Sequence, residues 1–140
     1  MRKNKAYYEF LPIYNVSVFY CSDIKAVLKL AKEYIKDKDA NYEHIDPDSI
    51  DYGFVAAITD SVDADFYHAY VMYVKDNQGV GTITHEATHL TNYIFDRIGQ
   101  PLSLCADEVQ AYLSGYFADQ FNHHIRGIKT KTGELTRKRK

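Results

Sequence analysis

The chain has 140 residues, 46% of them hydrophobic, which suits one domain with a core of its own. No apolar run approaches the roughly 18 residues a membrane helix needs, and none follows the charged start Met-Arg-Lys-Asn-Lys to make a signal peptide. The net charge of −2 is unevenly spread: residues 126–140 hold seven basic side chains and one acid, and the remaining 125 residues hold 10 basic and 18 acidic, a balance of −8.

A soluble protein of the cytoplasm is expected. Its two cysteines, Cys21 and Cys105, are too few for a disulfide framework, and buried free thiols are the expectation for both. Tyrosine is abundant and tryptophan absent. An apolar ring with a polar tip suits edges and clefts.

In chain order, residues 13–20 read as a strand, with Tyr14, Val16, Val18 and Tyr20 on one face and Pro12 at its start. Ser22 and Asp23 offer an N-cap to an amphipathic helix over 23–36, where Ile24, Val27, Leu28, Ala31 and Ile35 recur at helical spacing. Residues 37–51, with Pro47 and six acidic side chains, read as a loop. Two strands, 52–59 and 66–74, follow and are close enough for an antiparallel hairpin. In the second, Phe66, His68, Tyr70, Met72 and Val74 share one face, and Tyr67, Ala69, Val71 and Tyr73 the other.

A helix begins near Val80, with the apolar stripe Ile83, Ala87, Leu90, Ile94 and Ile98. Gly99 at C′ and Pro101 beyond it end that helix. The last helix spans about 104–121, with Ser103 a possible cap and Val109, Leu113, Tyr116 and Phe117 its core candidates. The order implies an α+β domain over 1–125: a small, mostly antiparallel sheet with helices on one face. The basic segment 126–140 is expected to be a disordered tail, and it is the only part suited to nucleic acid.

The stretch Thr84-His85-Glu86-Ala87-Thr88-His89 contains His-Glu-x-x-His. At the chain's own frequencies of histidine and glutamate, the three fixed positions would coincide by chance with a probability of about 0.01. Residues four apart stack on one helix face, so His85 and His89 can address one ion. Zinc held by two histidines needs a third protein ligand and an open position. After His89, eighteen residues pass before Glu108, early in the last helix, with Asp107 beside it.

The pattern His-Glu-x-x-His, eighteen residues, Glu resembles the gluzincin metallopeptidases over about residues 80–120. It resembles most the small phage-encoded and bacterial metallopeptidases, in which an Asp-Glu-x-x-Ala-Tyr-type helix follows the motif. The resemblance implies a minimal zincin-like fold, with the sheet packed on an active-site helix and a ligand-bearing helix. It further implies one zinc ion on His85, His89 and Glu108, with Glu86 as the general base of peptide-bond hydrolysis. The substrate would be a protein or peptide, and the setting host cytoplasm if the chain is phage-encoded.

The family's edge strand above the active-site helix, which pairs with substrate backbone, would be residues 66–74. Its oxyanion donor is not fixed by motif: Tyr112, one turn past Glu108, is one candidate, and His68 and Tyr70 are others. Asn92 and Asp96 are candidates to orient the histidines. The competing reading is a non-catalytic zinc-binding structural or interaction protein, a role that a phage origin would also suit.

Overall fold

The computed structural model describes residues 4–129. It is an α+β fold: a five-stranded sheet in the order β1-β2-β5-β4-β3, with three helices. The strands are β1 (Ala6–Leu11), β2 (Val16–Cys21), β3 (Ala40–Asn41), β4 (Gly53–Asp60) and β5 (Tyr67–Val74). The helices are α1 (Ile24–Tyr34), α2 (Val80–Ile98) and α3 (Asp107–His124). All strand pairs are antiparallel except the central β2–β5, which is parallel.

The strand expected over 13–20 is a hairpin arm plus its turn. Pro12 opens a turn rather than a strand: Tyr14 N–H reaches Leu11 O at 3.2 Å. Asn15, at φ 51°, takes the left-handed conformation that asparagine tolerates. β2 therefore starts at Val16, and β1 fills the edge that the sequence reading left empty.

Helices cover both faces of the sheet, not one. α1 starts on the Asp23 carboxylate, which accepts from Lys25 N–H at 3.0 Å and Ala26 N–H at 3.4 Å. It buries Ile24, Val27 and Ala31 against Phe19, Cys21, Val71 and Tyr73. α2 and α3 pack on the opposite face, against Val18, Tyr20, Tyr70, Met72 and Val74. The central strands are thus buried on both sides, which explains their nearly unbroken apolar runs. Phe95, Phe117 and Phe121 are among the largest fully buried side chains, each contributing roughly 1.5–3 kcal/mol by leaving water. Ile98, Val109 and Tyr116, expected in the core, are exposed; the Tyr116 hydroxyl reaches β1 at Glu9 instead.

A register irregularity between β4 and β5 pairs Ile58 with Ala69 but Thr59 with Tyr67, leaving His68 as the extra residue. The bulge breaks the expected alternation. Tyr67 joins Tyr70 on the α2 side, with ring centroids 5.8 Å apart, while His68 faces Asp37 and Asp60.

The first strand and last helix are tied at Glu9. Its carboxylate accepts from Tyr20 Oη at 2.8 Å, from Tyr116 Oη, and from Gln120 Nε2 at 3.0 Å. Beside it, Tyr7 and His124 stack with ring centroids 3.6 Å apart. The chain stays engaged past α3: Arg126 donates to Gln78 O, and Ile128 N–H reaches Asn122 O at 2.9 Å. Most of the expected tail, from residue 130 on, lies outside the described residues. Among the described residues, no helix is long and apolar enough to cross a membrane.

Candidate metal centre

α2 carries the motif. Gly79 precedes it, and Gly99 closes it in the left-handed conformation at φ 74°, with its N–H on Asp96 O at 3.2 Å and Gln100 N–H on Phe95 O at 2.9 Å. Ile83, Ala87, Leu90 and Ile94 lock the helix to the sheet, and this fixes which way the remaining faces point. His85 and His89 are exposed, and Glu86 between them is only 6% exposed.

The two imidazoles converge, with His85 Nε2 and His89 Nε2 3.1 Å apart. Two nitrogens bound to one tetrahedral zinc, each at 2.0–2.1 Å, stand about 3.3 to 3.4 Å apart. The spacing therefore fits a shared ion with little adjustment. A carboxylate oxygen of Glu86 lies within 4.8 Å of both ring nitrogens.

Glu86 is held from above by β4. A Cβ on Gly53 would come within 2.9 Å of Glu86 Cγ and 3.0 Å of both Glu86 Oε2 and Tyr73 O. Only glycine lets strand and carboxylate approach this closely. Burial raises the Glu86 pKa, the two histidines oppose that rise, and the Asp51 charge adds to it. Gly53 and Asp51 were not singled out from the sequence. The loop-to-strand boundary at 51–53 was visible, but its closeness to Glu86 is a tertiary fact.

Glu108 is exposed on the first turn of α3 and is not part of the His85–Glu86–His89 donor group. Two links set the register of α3 on α2: Gln110 Nε2 donates to Asn92 Oδ1 at 2.9 Å, and Ser114 Oγ donates to buried Thr91 Oγ1 at 3.0 Å. α2 runs nine residues past His89, so the start of α3 stands beside the later turns of α2. Asp107 is likewise exposed, and Tyr112 is 76% exposed. Cys105, expected buried, is exposed in the short 3-10 turn Leu104–Ala106, whereas Cys21 is buried and free as expected. Ser103 makes no side-chain cap to that turn. Asn92 serves the helix–helix link, and Asp96 lines a cleft described next.

β5 is not an edge strand: it lies between β2 and β4. The edge beside α2 is β4, whose partner β3 pairs only with Thr59 and Asp60. Residues 53–58 of β4 therefore have no second strand among the described residues. Along this edge runs a cleft of about 750 Å³, bordered by the 41–51 loop, by β4, and by Tyr93 and Asp96 of α2.

The other oxyanion candidates are engaged elsewhere. Tyr70 is buried, stacked on Tyr93 at 6.1 Å between centroids, and its pKa is pushed up to about 12, chiefly by burial. His68 Nε2 lies 3.6 Å from Asp37 Oδ2 and 3.5 Å from Asp60 Oδ2, forming a second histidine–carboxylate group. Compared with models of protein families, with curated proteins and with solved structures, the chain matches none.

Proposed function

We propose that the chain is a zinc-dependent peptide hydrolase, with His85 and His89 holding the ion and Glu86 acting as general base. The observation that carries this reading is the pair of exposed imidazole nitrogens 3.1 Å apart with a buried carboxylate beside them. Zinc held there would lower the pKa of a water to near 7 and polarise a substrate carbonyl.

On this reading Glu86 would take a proton from that water and return it to the leaving amine. Gly53 keeps the carboxylate seated by leaving room for it. The open β4 edge, rather than β5, is the surface on which an extended peptide would add as a strand. Glu108 is the third ligand that the spacing of the sequence suggests, and its distance from the donor group makes it the weakest member of the set.

A second reading is a zinc-binding protein without hydrolytic activity. It is favoured by the exposure of both Glu108 and Tyr112 and by the absence of Glu108, among the described residues, from the His85–Glu86–His89 donor group. One paired experiment separates the two. Bound metal is measured for wild type, Glu86→Gln and Glu108→Ala, and cleavage of a diverse peptide library for wild type and Glu86→Gln. Stoichiometric zinc in both wild type and Glu86→Gln, with cleavage only in wild type, supports the hydrolase. Zinc without cleavage by a folded wild type supports the second reading, and wild type without zinc overturns both.

A further inference from the structure

Four carboxylates and one histidine line the cleft along β4, with His44 Nε2 3.7 Å from Glu43 Oε1. Glu43, Asp46 and Asp51 border it from the loop side and Asp96 from α2; neither lysine nor arginine lines it, and the nearest cation at the Asp96 end is Arg97, which donates to Tyr67 O at 3.4 Å and bonds the Tyr70 side chain. Among the described residues, none of these four acids forms a salt bridge with a lysine or arginine. Its lining includes aromatic rings: Tyr93, nearly parallel to Tyr70 at 7°, stands one helical turn from Asp96. A guanidinium or ammonium group fits such a wall twice, as an ion-pair partner of the carboxylate and over a tyrosine face.

Position along the cleft follows from the helix. Asp96 is seven residues past His89 and ten past Glu86, which at 1.5 Å per residue is about 10 to 15 Å. An extended peptide covers that distance in roughly three to five residues. β4 runs the same way as α2: Gly53 sits over Glu86, and Thr59 pairs with Tyr67, whose carbonyl accepts from Arg97 at 3.4 Å. An added antiparallel strand would therefore enter at the Asp96 end.

We propose that the β4 edge takes extended peptides carrying an arginine or lysine three to five residues on the N-terminal side of the scissile bond, seated against Asp96 and the Tyr93 ring. The place of the cut rests on the hydrolase reading; the selection of a basic side chain by the cleft does not.

The test has a binding arm and a cleavage arm. Full-length Glu86→Gln is titrated, by fluorescence anisotropy, with two labelled decapeptides that differ only in arginine or its uncharged isostere citrulline at one inner position. The arginine peptide is expected to bind about tenfold more tightly at low salt, with the gap closing as salt rises. Asp96→Asn, checked for an unchanged circular dichroism spectrum, should remove about two- to fivefold of that preference. Equal affinities, or no binding of either peptide, overturn the proposal. So does stronger competition by a synthetic peptide of residues 126–140 than by the arginine decapeptide, since the cleft would then belong to the chain's own basic segment.

In the cleavage arm, wild type is given a random peptide library. Cuts enriched for basic residues at the stated positions support the proposal, and cuts without that enrichment overturn it while leaving the hydrolase intact. Arginine-selective binding with no cleavage at all sinks the hydrolase and leaves a basic-peptide binding cleft.

Discussion

Two groups of histidine and carboxylate stand in this molecule, and they are built in opposite ways. In His85–Glu86–His89 the imidazoles are exposed and the carboxylate is buried. In Asp37–Asp60–His68 the imidazole is half-buried, its side chain 12% exposed, and the first carboxylate is exposed. The first group lies within one helix, whose periodicity fixes the spacing of its nitrogens whatever the surroundings. The second is assembled from the segment after α1, the end of β4 and the bulge in β5, so it exists only once the sheet has formed.

In the second group the carboxylates are already engaged. Asp60 Oδ1 accepts from Val62 N–H at 2.7 Å and Asp63 N–H at 3.0 Å, and Asp37 Oδ1 accepts from Asp39 N–H at 2.9 Å. His68 Nε2 lies between their remaining oxygens at 3.5 and 3.6 Å, beyond a good hydrogen bond. Similar side chains thus make an open imidazole face in one place and a staple between chain segments in the other. What separates them is which partner the fold buries.

The largest expected effect is at the open face. On the zinc reading, His85→Ala or His89→Ala should weaken zinc binding by more than about 100-fold, since even residues that merely orient ligands cost 10- to 100-fold. His68→Ala should leave zinc stoichiometry unchanged. Elemental analysis of the three proteins checks both claims, and a wild type holding two ions that falls to one in His68→Ala would erase the distinction.

Next in size is the buried carboxylate. On the hydrolase reading, Glu86→Gln should keep zinc and lose roughly 100- to 10,000-fold in turnover. Gly53→Ala should act on the same carboxylate from outside. Its Cβ would meet Glu86 and the Tyr73 carbonyl, destabilising the fold by about 1–3 kcal/mol as overpacking does. Zinc affinity should change little, because neither imidazole is touched. Urea denaturation and zinc titration of the same sample make the comparison.

The staple should show itself in stability. His68→Ala leaves two carboxylates facing each other without the ring between them, and a loss of roughly 1–3 kcal/mol is expected in urea. Unchanged stability would remove the staple from the account.

The smallest effect is on acid sensitivity. Hydrogen bonds from the Asp63 and Val62 N–H groups, and then the nearby Asp37 and His68, hold the Asp60 carboxyl below the usual carboxylate range. A lowered folded pKa means stability that is present above the unfolded value of about 3.9. It is lost as pH falls through the folded value. Asp60→Asn should therefore flatten the acid limb of the stability curve and leave its shape near neutrality unchanged. An acid limb as steep as that of wild type would count against this.

What the sequence made legible was local. The span of α2, the Gly99 stop, the Asp23 cap and the convergence of His85 and His89 all follow from periodicity and capping within a few residues. What it concealed was relational. That Glu86 is covered depends on Gly53, more than thirty residues away in the chain. That the start of α3 sits beside the later turns of α2 depends on Thr91 and Asn92 finding Ser114 and Gln110. The loop spacing that suggested Glu108 cannot encode that register. The identity of the edge strand was hidden for the same reason: β5 is drawn into the middle by parallel pairing with β2, a contact that no hairpin signal announces.

The clasp at Glu9 has a bearing on how the protein is made. Two of its three side-chain donors lie 107 and 111 residues further along the chain. A ribosome that has released the whole sheet has still not released the partners of its first strand. Until α3 emerges, the face that α3 covers is left to water, and Glu9 waits beside it with Tyr20 as its sole clasp partner. The nascent chain should therefore stay open to proteases and chaperones until α3 has emerged, and close once it has.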